Sequence, residues 1–173
     1  MPNNHRLTHS SSLHHKRMAR LGPLALLAAA VAALGGCGGD PLLVVGRVDV
    51  SVDANTTLVV DFPVATTLVR SPRAINTSVA GDCTVTRDAF DVVIARDESS
   101  AGLHTLHVTS TTASVEIDGD TYEAATADGA CFIEASAMDA SYGTVTFDVD
   151  CTLRDGAGGS VSAVGTLTLE GCH

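Results

Sequence analysis

The feature that most constrains this chain is the alternation of apolar and polar residues that recurs from Leu42 onward. Residues 46–53 read GRVDVSVD, which places Val48, Val50 and Val52 on one face of a strand. Successive strand side chains point to opposite faces, so this pattern indicates a sheet with one buried face. About ten such segments, separated by Gly/Asp turns, predict an all-β fold. We expect an antiparallel β-sandwich, with a small closed barrel as the alternative.

Local signals predict where some of these strands begin, end and pair. Asp118-Gly119 offers the two positive-φ positions of a type I′ turn, which would set Val115 opposite Tyr122 in a tight hairpin. Proline cannot donate to a strand ladder, so Pro63 is expected to interrupt the chain and leave residues 64–70 as a separate strand.

The alternation in residues 131–151 predicts a second hairpin. Its register places Cys131 directly opposite Cys151. The last strand of the chain is expected to return beside this hairpin and to bring Leu167 close to Val149.

Four cysteines lie in this β region, at positions 83, 131, 151 and 172, and none of them forms a CxxC pair. An even number without metal-ligand spacing predicts two structural disulfides. The predicted register puts Cys172 roughly 20 Å along the sheet from Cys151 at about 3.3 Å per residue. Because a disulfide needs Cα atoms within about 7 Å, the expected pairs are Cys131–Cys151 and Cys83–Cys172.

An uncharged apolar run of 14 residues, from Leu21 to Leu34, precedes the β region. As a helix it would be roughly 21 Å long, shorter than a hydrocarbon core of about 30 Å. Lys16, Arg17 and Arg20 stand in front of it. A positive flank followed by a run of this length is typical of a secretory signal peptide.

The residues that end this run, Leu34-Gly35-Gly36-Cys37, closely resemble the lipobox of bacterial lipoproteins. The resemblance covers residues 1 to about 40 and implies cleavage before Cys37, whose sulfur would carry the lipid. Gly38 behind it, rather than Asp, would favour the outer membrane. The chain then divides into a signal peptide (1–36), a tether (37–41) and a β-sandwich domain (42–173).

Two alternatives to the lipobox interpretation stay open at this point. The run could belong to an ordinary secreted protein, or form a short buried helix, with Cys37 incidental in both cases. The start of translation is equally open between Met1 and Met18.

The charge of the chain after Cys37 restricts its partners. That part holds all twenty Asp and Glu residues, six arginines and no lysine, which gives a net charge of −14. Such a surface repels phosphate backbones, so we expect no nucleic-acid partner. The negative charge is better explained by solubility, or by affinity for cations or for a basic partner.

Side chains that could carry chemistry are few. His104 and His107 are three residues apart, so on a regular strand they would face opposite sides and could not share an ion. The turn accounts for Asp118 and Asp120, and Asp148 and Asp150 fit a solvated strand face, so no calcium site is expected. The sequence contains no GxSxG, HExxH, P-loop or GxGxxG motif. We therefore expect no catalytic residues, no metal and no cofactor.

Together these signals predict a non-catalytic β domain that is anchored in the cell envelope. Its first partner would be the membrane, through lipid on Cys37, and an unidentified envelope protein is a possible second partner. The alternative function is a carrier of a small apolar ligand, which would require a closed pocket of a few hundred Å³.

Overall fold

The computed structural model describes residues 41–70, 79–96 and 102–173. In these residues the fold is all-β, as predicted, and a single short 3-10 helix covers Thr126–Asp128. The predicted signal helix lies outside the described residues. The ten strands in chain order are β1 Leu42–Ser51, β2 Thr57–Arg70, β3 Val79–Val85, β4 Phe90–Arg96, β5 Leu103–Thr109, β6 Thr112–Ile117, β7 Asp120–Ala125, β8 Cys131–Asp139, β9 Thr144–Arg154 and β10 Ser160–Glu170.

The strands form two groups that are extensively paired within themselves and only briefly joined. The first layer has the order β8-β9-β10-β1-β2 and the second the order β3-β4-β5-β6-β7. Two parallel residue pairs join β2 to β3, and a single pair, Glu123 with Arg154, joins β7 to β9. All ten strands therefore belong to one sheet, which folds into the two layers of the predicted sandwich. The two short pairings, β2 with β3 and β7 with β9, close this sheet as in the alternative, a small closed barrel.

The core lies between the layers and consists of the alternating residues on their inner faces. In β1, for example, Val44, Val48 and Val50 are fully buried. Buried residues of both layers form one hydrophobic cluster, in which the rings of Phe90 and Phe147 stack with centroids 4.9 Å apart. Full burial of a side chain of this size contributes roughly 1.5–3 kcal/mol. Burial of these inward residues therefore determines which face of each strand is left to solvent.

The expectation of two strands around Pro63 is wrong, because β2 continues through this residue. The register shifts between the pairs Val44–Thr66 and Gly46–Phe62, so that three residues of β2 face one residue of β1. Pro63 lies in this bulge, where no ladder hydrogen bond requires its missing N–H. A bulge thus accommodates the proline without ending the strand.

The predicted hairpin turn at Asp118-Gly119 is confirmed. These two residues have φ angles of 50° and 92°, and Val115 pairs with Tyr122. The Asp118 carboxylate also accepts a hydrogen bond of 2.8 Å from the backbone N–H of Gly102.

The predicted pairing of β8 with β9 is confirmed, and Cys131 lies opposite Cys151. The predicted register of β10 is wrong by two residues, because Val149 pairs with Gly165 rather than with Leu167. The cause is the loop between the strands, in which the Asp155 carboxylate accepts backbone hydrogen bonds at 2.9 and 2.6 Å and closes a tight turn. A shift of two residues keeps each side chain on its predicted face.

Both disulfide bonds are present in the predicted pairing, Cys131–Cys151 and Cys83–Cys172. The first joins neighbouring strands of one layer. The second joins β3 of the second layer to the chain just after β10 of the first, and the backbone N–H of His173 donates to the Cys83 carbonyl at 3.1 Å. The last residues of the chain are therefore held against the opposite layer.

Opening the disulfide that links the layers should destabilise the domain more than opening the one within a hairpin. The two bonds close loops of 89 and 20 residues. The loop-entropy relation assigns them about 4.6 and about 3.3 kcal/mol, respectively. The double variants Cys83→Ala/Cys172→Ala and Cys131→Ala/Cys151→Ala can be compared by urea unfolding. Equal stabilities, or the reverse order, would contradict this account.

Truncating Phe147 should cost far more stability than truncating Phe132 in the same hairpin. Phe147 has no exposed surface, whereas Phe132 is 57% exposed. We expect Phe147→Ala to lower the free energy of unfolding by about 3–5 kcal/mol. For Phe132→Ala we expect a change within about 0.5 kcal/mol. Chemical denaturation of both variants tests the assignment of the two faces.

Candidate functional site

The residue that the sequence marks most strongly, Cys37, lies outside the described residues, and so does the tether up to residue 40. The described chain begins at Pro41, one residue before β1. The predicted tether would therefore join the domain at the start of β1, which lies between β10 and β2 in the first layer. Candidate functional features are therefore expected on the outer surface of the first layer, near the start of β1.

The outer face of the first layer carries two neighbouring rows of side chains, which we call the acidic rows. They contain five carboxylates and one guanidinium among ten side chains that follow the strand order from β8 to β2. The first row is Glu134, Asp148, Thr166, Arg47 and Asp61, and the second is Phe132, Asp150, Val164, Asp49 and Val59.

Arg47 is the cation of the acidic rows and bonds to the carboxylates nearest to it. Its Nε donates to Asp49 Oδ1 at 2.8 Å, and its Nη1 lies 3.9 Å from Asp61 Oδ2. The hydrogen bond that Arg47 donates to Asp49 raises the pKa of Arg47 above its ordinary value. Exposed pairs of this kind add little stability. At the β8–β9 end the rows contain carboxylates and no basic residue, and Asp148 accepts a hydrogen bond from the Thr166 hydroxyl.

An uncharged surface adjoins the acidic rows at the start of β1. We call it the uncharged patch, and its members are Leu43, Val45, Val64, Ala65, Thr67 and Val69. Val64 is 69% exposed, Val69 39% and Val45 36%. Isolated exposed apolar residues are common on protein surfaces, but a contiguous group of them more often marks an interaction site.

The uncharged patch arises from strand pairing combined with the bulge. Leu43 pairs with Thr67 across β1 and β2, and Val45 lies opposite the bulge that contains Pro63. The three consecutive bulge residues, 63 to 65, are all exposed and uncharged. Glu170 of β10 borders the patch, because it pairs with Leu43 on the other side of β1.

Sequence reasoning missed the uncharged patch. The available signal was the uncharged stretch after Pro63. A proline ordinarily indicates the end of a strand, whereas Pro63 is part of a bulge that the sequence does not reveal.

The two histidines of β5 have separate surroundings. The Nε2 atom of His107 lies 2.9 Å from Asp91 Oδ1. His104 sits where the register of β5 against β6 shifts, between Leu103 and Thr105. Among the described residues there is no group of three side chains arranged to hold a metal ion.

Asp53 acts in the turn between β1 and β2. Its Oδ1 accepts hydrogen bonds from the backbone N–H groups of Asn55 and Thr56, at 2.7 and 2.8 Å. The bond from Asn55 is the main reason that the pKa of Asp53 lies below its ordinary value. This carboxylate therefore shapes the loop between the two strands.

The space between the layers bears on the carrier alternative. Phe90 of the second layer and Phe147 of the first are in ring contact at the centre of the core. At this point the two layers are in direct side-chain contact, which leaves no space there for a ligand.

Comparison with known proteins gives no further assignment. The chain matches no protein-family model, no curated protein and no solved structure. Over the described ranges, none of the helical structure is long and apolar enough to cross a bilayer. The N-terminal sequence and the surface chemistry of the domain are therefore the features that bear on function.

Proposed function

We propose that this protein is a lipid-anchored component of a bacterial cell envelope, held at the outer membrane by acyl chains on Cys37. Its β domain would have a non-catalytic, structural or binding role. The observation that carries the proposal is the Leu34-Gly35-Gly36-Cys37 sequence at the end of a short apolar run with a basic flank. These three signals are independent of one another and have the order that lipoprotein processing requires.

The domain's own chemistry supports an exported location. Its two disulfides suit an oxidising compartment, since cytosolic thiols are normally kept reduced. They involve all four cysteines after Cys37, which leaves that residue as the thiol available for lipid.

Acylation would supply the membrane attachment by itself. Each buried CH₂ group contributes about 0.8 kcal/mol, so two or three acyl chains hold a domain stably where one chain is marginal. The acidic domain would then stay in the aqueous phase beside the membrane, free to contact a basic or polar envelope partner.

Replacing Cys37 tests the anchor directly. In a bacterial host that processes lipoproteins, Cys37→Ala should lose both the fatty acids and membrane association. Intact-mass analysis reports the lipid and the first residue, and flotation on a density gradient reports the association.

The Cys83→Ala/Cys172→Ala chain is the matched control, because it also lacks cysteines but keeps the lipobox. This control should still carry lipid and float. A wild-type product that begins upstream of residue 37 and has no fatty acid would refute the proposal.

A further inference from the structure

The length of the tether limits how far the domain can lie from its anchor. Five residues, 37 to 41, separate the lipidation position from β1. A chain spans at most about 3.6 Å per residue, so they reach roughly 18 Å when fully extended. The start of β1 would therefore remain beside the headgroups, and the surface around it would be the part of the domain nearest to the bilayer.

The charged residues on the outer face of the first layer are distributed unevenly around the start of β1. The uncharged patch contains the second and fourth residues of β1, Leu43 and Val45, together with the residues next to them on β2. The acidic rows begin further along β1, at Arg47. Bacterial membranes containing anionic lipid repel carboxylates, so the rows are expected to turn away from the surface and the patch toward it.

We propose that the uncharged patch is a membrane-docking surface, which contacts the lipid headgroup region and orients the domain on its anchor. This inference rests on the proposed lipid anchor. Val64, which lies in the bulge with Pro63, is the most exposed of the three valines of the patch, at 69%. Glu170, which pairs with Leu43, is the charged residue that borders the patch on β10.

The patch is too small to hold the domain on a membrane alone. Its contribution depends on the tether, which keeps the patch at a high effective concentration near the bilayer. A contact that would be negligible between separate molecules can then select one orientation of the tethered domain.

Single-tryptophan variants can measure this orientation, because the chain contains no tryptophan. Val64→Trp places the probe in the patch. Val164→Trp is the matched control, since Val164 is a 47% exposed valine on the outer face of the same layer, but within the acidic rows. Both full-length lipidated proteins would be placed in vesicles of phosphatidylethanolamine and phosphatidylglycerol with brominated acyl chains.

Bromine quenches only nearby indoles, and groups docked at an interface lie about 5–10 Å into the headgroup boundary. We expect the fluorescence of the Val64→Trp protein to fall by roughly half relative to vesicles without bromine, because docked apolar groups reach the acyl boundary. The Val164→Trp protein should lose less than about a tenth, because its probe would face water.

The outcomes separate this inference from the anchor on which it rests. Protein that fails to float with the vesicles would overturn the anchor and the orientation together. Protein that floats but shows equal quenching, or none, at the two positions would overturn the docking surface alone. Quenching that is lost as the number of proteins per vesicle is raised would mean that a second copy covers the patch in preference to lipid, and would also overturn it.

A charged substitution gives a second, independent test. With the reporter Val69→Trp in the same patch, adding Val64→Asp should abolish the quenching while flotation is retained. The same aspartate placed at Val164 should leave the reporter quenched. Quenching that survives Val64→Asp would contradict the role of the patch.

Discussion

Burial of the two inner faces against each other is the interaction on which the rest of this molecule depends. Each layer would expose a complete row of valines and leucines if it were alone. The stacked rings of Phe90 and Phe147 mark the centre of the contact between the layers. Because strand side chains alternate, fixing the inner face also fixes every outward residue, including both the acidic rows and the uncharged patch.

This dependence explains which parts of the fold the sequence could predict. The faces of the strands, the turn at Asp118 and the position of Cys131 opposite Cys151 follow from period-two alternation and local turn chemistry. The register of β10 does not, because it is set by how the Asp155 side chain folds its loop. The disulfide prediction survives that error, since a slip of two residues moves Cys172 by only about 7 Å along the sheet.

The two surface features differ in how far they can be predicted. The predicted lipidation signal at Cys37 is a contiguous sequence, so it can be recognised without a structure. The uncharged patch combines residues about twenty positions apart and requires the pairing of β1 with β2. The patch also depends on the bulge at Pro63, where β2 continues although a proline usually indicates the end of a strand. In the linear sequence these valines are scattered, and the pairing of β1 with β2 brings them together.

The amount of apolar surface that a domain can usefully expose differs between a membrane-anchored protein and a freely diffusing one. A large patch would promote aggregation during export, before any membrane is available to cover it. A small patch avoids that hazard, and a short tether compensates for its weakness by restricting the volume that the domain can sample. Three partly exposed valines beside a tether of five residues, as the proposed lipidation of Cys37 implies, would satisfy both conditions. On the proposed anchor, the carboxylates of the acidic rows would be repelled by anionic lipid, so that the orientation with the patch toward the membrane would be favoured over the others.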